Sequence, residues 1–252
     1  MSLLTLLTKK DLKNPGKIYL IPNYLSDSQS KEYIPDIVCN TIKQLKYFLV
    51  ENVRTSRRFI SSLQLDIDIS QLIFEVMDKR FDSNRLPEIF EPVFDGVDLG
   101  IQSEAGLPGI ADPGGQAVAY AHQHGISVVT LPGSSSIITG LISSGFNGQQ
   151  FAFHGYLPID KQSKIAVLKR LENEADKTGY SQLFMETPYR NTELFNLMLN
   201  HLKPQTLLFI GKDLTGDQES AKTFSIDQWK KEKVDISKVP VIFAIGNFKL
   251  PL

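Results

Sequence analysis

The sequence predicts an α/β protein in two units, the first around a parallel sheet of roughly five strands and the second around a mixed sheet. Three observations carry this. Short β-rich apolar runs alternate with stretches of helical spacing through the first half, the rhythm of βαβ units. Two Gly/Pro turns, Gln102 to Gly115 (Q-S-E-A-G-L-P-G-I-A-D-P-G-G) and Leu131 to Ser136 (L-P-G-S-S-S), each follow such a run and precede a helical stretch. Turns of that kind lie at the carboxyl ends of strands, where α/β sheets bind ligands. The pattern then changes, so a domain boundary is expected near Pro132 to Ser136, dividing 1–132 from 133–252.

In chain order, Asn14-Pro15-Gly16 is a turn and Lys17 to Ile21 a strand ending at Pro22. Tyr33 to Leu45 carries Ile34, Ile37, Val38, Ile42 and Leu45 at helical spacing. Tyr47 to Val50 is a strand. Thr55 to Leu63 is a helix with Phe59, Ile60 and Leu63 inward and its arginines outward. Leu72 to Val76 fits either a strand or a helical turn. Val97 to Ile101 and Val128 to Leu131 are strands flanking a helix from Gly115 to Gln123, with Ala117, Val118 and Ala121 inward. Asp112-Pro113 gives that helix its start, a carboxylate near free amides and then a proline where no donor is needed. In the second half, Phe151 to Gly155, Gln182 to Met185, Thr206 to Ile210 and Pro240 to Ile245 read as strands. Lys164 to Ala175 and Thr192 to Leu202 read as helices.

The 252 residues are 42% hydrophobic, enough to bury real cores. With 27 basic and 28 acidic residues the net charge is −1, which argues against a strongly electrostatic nucleic-acid binder while leaving room for a local patch. The single cysteine, Cys39, forms no intrachain disulfide, so a reducing compartment is compatible. Leu3, Leu4, Leu6 and Leu7 are too few for a membrane span and lack a preceding basic region, so a soluble, cytoplasmic protein without a signal peptide is expected.

The four histidines are scattered and show no zinc-ligand spacing, and there is no G-x-S-x-G, G-x-G-x-x-G or G-x-x-x-x-G-K-[ST]. No metal site is expected. The candidate chemistry lies on the loop rims. Ser103-Glu104-Ala105-Gly106 surrounds one carboxylate with small residues, which suits close backbone approach to a ligand and acceptance of hydrogen bonds from a ribose or amino group. The alternative is a tight connector with Glu104 in solvent. Ser134 to Ser136 either cap the following helix or leave its amides to a ligand carboxylate. Glu186 and Arg190 form either a structural ion pair or part of a site.

Taken together the blocks resemble the tetrapyrrole-methylase superfamily of S-adenosylmethionine (SAM) methyltransferases, and within it the branch that methylates a ribose 2′-hydroxyl of small-subunit ribosomal RNA. The family pattern S-D-A-G-T-P-x-I-S-D-P-G stands here as S-E-A-G-L-P-G-I-A-D-P-G at Ser103 to Gly114, and V-V-x-L-P-G-P-S-A as V-V-T-L-P-G-S-S-S at Val128 to Ser136. F-x-G-F-L-P becomes F-H-G-Y-L-P at Phe153 to Pro158, F-Y-E-S-P-H-R becomes F-M-E-T-P-Y-R at Phe184 to Arg190, and R-E-L-T-K becomes K-D-L-T-G at Lys212 to Gly216. The blocks keep family order across Lys17 to Phe248.

The resemblance implies two α/β domains with SAM folded in the cleft between them, within a homodimer. It maps Ala105, Gly106, Leu107, Pro108 and Ile110 onto the cofactor beside Ser103 and Glu104, with Pro22 at the same rim. Ser135 and Ser136 would contact it from the interdomain turn, and Tyr156, Leu157 and Met185 from the second domain. Departures fall on the substrate side. P-T-P-I-G-N-L becomes P-N-Y-L-S-D-S at Pro22 to Ser28, and E-D-T-R-H-T becomes E-N-V-R-T-S, keeping Glu51 and Arg54. The basic run after F-L-P is thinned to Lys161 and Lys164, and the helical tail of many relatives is not present.

Glu51 and Arg54 are the catalytic candidates, orienting the acceptor, with Arg54 against a phosphate. The alternative is an exposed face of Arg54, Arg57 and Arg58. Three functions remain open: an RNA ribose methyltransferase, a tetrapyrrole or other small-molecule methyltransferase, and a non-catalytic interaction protein retaining the fold. The methyl acceptor would be ribosomal RNA or a small molecule. Gly106→Arg is expected to abolish SAM affinity without unfolding the chain.

Overall fold

The computed structural model describes residues 14–248, so the N-terminal leucines Leu3, Leu4, Leu6 and Leu7 lie outside the described residues. The described chain divides into two units. The first holds residues up to Tyr24 together with Gln29–Ser134, and the second holds Leu25–Ser28 and the chain from Ser135 onward.

The first unit is a sheet of β1 (Ile18–Ile21), β2 (Tyr47–Val50), β3 (Ile73–Val76), β4 (Leu99–Gln102) and β5 (Val128–Thr130). Every pairing is parallel, in the order β3-β2-β4-β1-β5. Leu72 to Val76, open between strand and helical turn, is thus the edge strand. All four residues of β2 are buried, the continuous apolar run that a parallel strand covered on both faces requires. Alternation sends Phe48 and Val50 to one core and Tyr47 and Leu49 to the other. Helices α1 (Asp36–Gln44) and α2 (Val53–Ser62) cover the first face through Val38, Ile42, Phe59 and Ile60. Helices α3 (Leu86–Phe94) and α4 (Gly114–Gln123) cover the second through Leu86, Phe90, Ala117 and Ala121.

Several boundaries differ from expectation, each for a local reason. The helix expected from Tyr33 begins at Asp36, because Pro35 holds Ile34 extended and leaves Tyr33 in a short 3-10 turn. Helix α2 begins two residues before Thr55, since the Asn52 side chain accepts hydrogen bonds from the Arg54 and Thr55 amides. The strand expected from Val97 starts at Leu99 and runs on to Gln102. Helix α3 was not anticipated. Pro87 and Pro92 obscure it, yet Leu86, Ile89, Phe90 and Val93 are buried at helical spacing, and Pro87 sits in the first turn where no donor is missed.

The second unit is built on β6 (Phe151–Tyr156), β7 (Ser181–Met185), β8 (Leu207–Lys212), β9 (Ser220–Ser225) and β10 (Val241–Gly246), in the order β6-β7-β10-β8-β9. Only β6 and β7 pair in parallel, so the sheet is mixed as expected. Helix α5 (Ser136–Ser144) packs on one face, and α6 (Lys161–Thr178), α7 (Asn191–His201) and α8 (Ile226–Trp229) on the other. Strand β9 and helix α8 escaped the sequence reading. The strand, S-A-K-T-F-S, is a weakly apolar edge, and the helix is one turn held by a Ser225–Gln228 capping box. Among the described residues no helix is long and apolar enough to cross a membrane, and no group of three or more His, Cys, Asp or Glu is placed to hold a metal ion.

Candidate cofactor site

The strand order positions the site. Helices α1 and α2, which follow β1 and β2, lie on one face of the sheet, whereas α4, which follows β4, lies on the other. Strand β4 stands between β1 and β2. The chain therefore leaves β4 in the direction opposite to both neighbours, which opens a crevice at its carboxyl end on either side.

A polar side chain spans each crevice. On the β1 side, Asn23 is 3% exposed and donates through Nδ2 to the carbonyls of Ser103 (3.1 Å) and Glu104 (3.1 Å), while its Oδ1 accepts from the Tyr24 amide at 2.8 Å. Its backbone amide donates to the Gly106 carbonyl, and the Gly106 amide donates to Tyr24. On the β2 side, Glu51 Oε2 accepts from the Glu104 amide at 2.9 Å. Burial pushes the Glu51 carboxyl above its ordinary value. The Glu104 amide opposes that rise, and the nearby Asp112 and Glu104 carboxylates add to it. Glu104 itself is exposed, and its carboxylate accepts a long hydrogen bond from the Thr55 hydroxyl, 3.5 Å.

The rest of the first-unit candidates line this turn. Ser103 is buried and its hydroxyl closes onto the Ala105 carbonyl at 3.0 Å. Gly106 is buried with φ +67°, a left-handed conformation that a side chain strains. Gly106→Arg would thus disturb the fold as well as any ligand, so it does not separate the two. Pro22 and Leu107 meet at Gly133, where a Cβ would collide with the Pro22 ring and press on Leu107. Pro108 is buried, whereas Ala105 and Ile110 are exposed. Asp112 acts as the staple of the turn: Oδ1 accepts from the Gly114 amide at 2.7 Å and both its oxygens lie 2.9 Å from the Gly109 amide. Its helix-starting role holds, since Gly114 is the first residue of α4. Arg54 is exposed on α2, and its backbone amide, not its guanidinium, is tied to Asn52.

In the second unit Ser135 precedes α5, which starts at Ser136, and its side chain makes no capping bond. The amides of that helix end are left without a side-chain cap. Tyr156 and Met185 stand opposite each other at the carboxyl ends of β6 and β7, past a register shift that includes Gly155 at φ +61°. Leu157 is buried in the core beside them. Glu186 forms ion pairs with Arg190 and with Lys164, which the thinned basic run left without an assigned partner. Lys164 Nζ and Arg190 Nη2 lie 2.9 and 2.8 Å from the buried Glu186 carboxylate. Asn23, which supports this turn, escaped the sequence reading. Nothing in the sequence marks Asn23 beyond its place after the first strand.

No protein-family model matches this chain. Among curated proteins it is 31% identical over 192 residues to the ribosomal RNA small subunit methyltransferase I of Streptococcus pyogenes serotype M6, covering 75% of this chain and 62% of that protein. It is 30% identical over 213 residues to the protein of the same name from Helicobacter pylori strain J99, covering 79% of this chain and 71% of that one. The aligned region thus spans less than two thirds of the length of the streptococcal relatives. Among solved structures the methyltransferase CobJ superposes with a TM-score of 0.60 at 14% identity, covering 92% of this chain and 94% of that one. The uroporphyrin-III C-methyl transferase of Thermus thermophilus, complexed with S-adenyl homocysteine, gives 0.55 at 14% identity, covering 92% and 98%. These two share the fold. The identity extending over most of the Helicobacter protein goes further, and by it the chain belongs to the ribosomal RNA small subunit methyltransferase I family.

Proposed function

We propose that the protein is a SAM-dependent methyltransferase of small-subunit ribosomal RNA, acting on a ribose hydroxyl. The observation that carries this reading is the identity to relatives bearing that name, together with a polar rim at the carboxyl end of β4. The residues suit SAM chemically. Glu104 presents an exposed carboxylate for a ribose diol or amino group, the Gly106 turn allows close backbone approach, and the uncapped start of α5 offers amides to a carboxylate. Ser103, Ala105, Leu107, Pro108, Ile110 and Pro22 complete the proposed cofactor set in the first unit, and Ser135, Ser136, Tyr156, Leu157 and Met185 in the second. Bound SAM supplies an electrophilic methyl group on a sulfonium.

The chain's own task is alignment of the acceptor and removal of its proton. Glu51 is the proposed proton acceptor: one oxygen is pinned by the Glu104 amide, which fixes the carboxylate against the cofactor turn. Arg54, exposed in the first turn of α2, is the proposed phosphate contact. Cytoplasmic location and a homodimer belong to the same reading, and light scattering at twice the chain mass would support the dimer.

The test is transfer of tritium from labelled SAM into total RNA and small-molecule extracts of a strain lacking this gene. Label in the small-subunit ribosomal RNA is expected. Label confined to the small-molecule fraction overturns the acceptor, and no transfer with no SAM binding overturns the enzyme. Glu51→Gln is expected to lower the rate about 10²-fold or more. Because a base works deprotonated and burial raises this carboxyl, the wild-type rate should fall with acid already above the ordinary glutamate range. The variant should lose that acid limb.

A further inference from the structure

Asn23 and Glu51 span the two crevices beside β4, and the last residue of β4 lies between them. Gln102 is 2% exposed, and neither its Oε1 nor its Nε2 has a hydrogen-bond partner among the described residues. Turning the amide over changes nothing, since both ends lack partners. Its neighbours in register, Ile21 and Val50, are the apolar last residues of β1 and β2. Strand alternation puts the Gln102 side chain on the same face as position 100, where a Cβ would meet Ile21, Leu45 and Phe48. A methionine or leucine there would pack in that apolar layer without desolvating an amide. Within the protein alone the glutamine is a desolvation cost without a compensating hydrogen bond, and a buried amide of that kind calls for a partner from outside the chain.

Resting on the methyl-donor reading above, we propose that Gln102 is a specificity-determining residue for the nucleoside cofactor. On this reading the Gln102 amide, at the last residue of β4 beside the Ser103–Gly106 turn, finds in the cofactor-bound protein the partners that the protein alone does not provide. An amide offers an accepting oxygen and two N–H groups, so it matches a nucleoside edge that carries both kinds of group.

The test uses the full chain with S-adenosylhomocysteine as probe, comparing wild type with Gln102→Met by calorimetric titration and thermal unfolding. The variant is expected to melt higher than wild type and yet bind the probe about tenfold more weakly. A residue with a purely structural role moves stability and affinity together, so the opposite signs are diagnostic. Gln102→Leu, a second apolar replacement, serves if the methionine variant does not fold. Affinity within twofold of wild type in a folded variant overturns the proposal, as does a lower melting temperature in both variants. Failure of the wild-type chain to bind the probe instead overturns the cofactor reading itself, before any variant is compared.

Discussion

Glu186→Ala is expected to destabilise the second unit by about 3–5 kcal/mol, measured by urea unfolding, because it leaves a buried ammonium without its counter-charge. Lys164, in the first turn of α6, is 1% exposed, and its Nζ donates to Glu186 Oε2 at 2.9 Å. Glu186 directly follows β7 and also accepts from Arg190 Nε at 3.1 Å and the Thr187 amide at 2.8 Å. The double variant Lys164→Met/Glu186→Leu removes both charges and is expected to recover most of the loss, since a packed apolar pair replaces a desolvated ionic one. Double and single variants of equal instability would show that the pair's geometry, not its charge balance, holds α6 to the sheet.

The same triad sets a pH dependence. Burial pushes the Glu186 carboxyl up, but the Thr187 amide, Lys164 and Arg190 together outweigh burial and hold it below its ordinary 4.5. A carboxylate depressed in the fold contributes stability that is present above its unfolded value and lost as pH falls through its folded one. Wild type should therefore lose stability progressively below pH 4.5, and the double variant should lose less over that range.

Much of this architecture was legible because periodicity reports burial. Tyr47 to Val50 reads as a strand and is one, since four consecutive apolar residues suit a strand covered on both faces. The Thr55 to Leu63 region shows its helical stripe directly, and Phe59, Ile60 and Leu63 are buried while its arginines are exposed. The elements that escaped are those whose stability is not written as an apolar pattern. Strand β9 is held by its backbone ladder to β8, and α8 by a capping box and by Trp229, whose indole donates to the Leu208 carbonyl at 2.8 Å.

The loops of the candidate site are legible in the sequence, and the groups that support them are not. Glycine and proline mark where a turn must bend, so the Ser103 to Gly114 turn stands out in the sequence. The groups that hold that turn come from strands more than fifty residues away, and their role depends on β1 and β2 lying either side of β4. No local pattern records that adjacency. Lys164 shows the converse: the sequence marks it only as part of a thinned basic run, and its burial against Glu186 follows from the fold.

Asn23→Asp is the sharpest test of those supports, and it is expected to weaken binding of S-adenosylhomocysteine at least tenfold while the chain stays folded. The replacement keeps the shape and the oxygen that accepts from Tyr24, but it removes the Nδ2 donor shared by the Ser103 and Glu104 carbonyls. A carboxylate oxygen would then face two carbonyl oxygens, and groups buried without partners cost about 1–3 kcal/mol each. The strain falls on the turn between β4 and α4, whose far side is stapled independently by Asp112. Hydrogen exchange should therefore quicken at the Asn23 and Gly106 amides, which pair with Gly106 and Tyr24, and stay slow at Gly114. Unchanged exchange at Gly106 together with unchanged affinity would mean that the turn holds its shape without Asn23. The rim would then rest on Glu51, Asp112 and the backbone pairing of Gly106 with Asn23 and Tyr24.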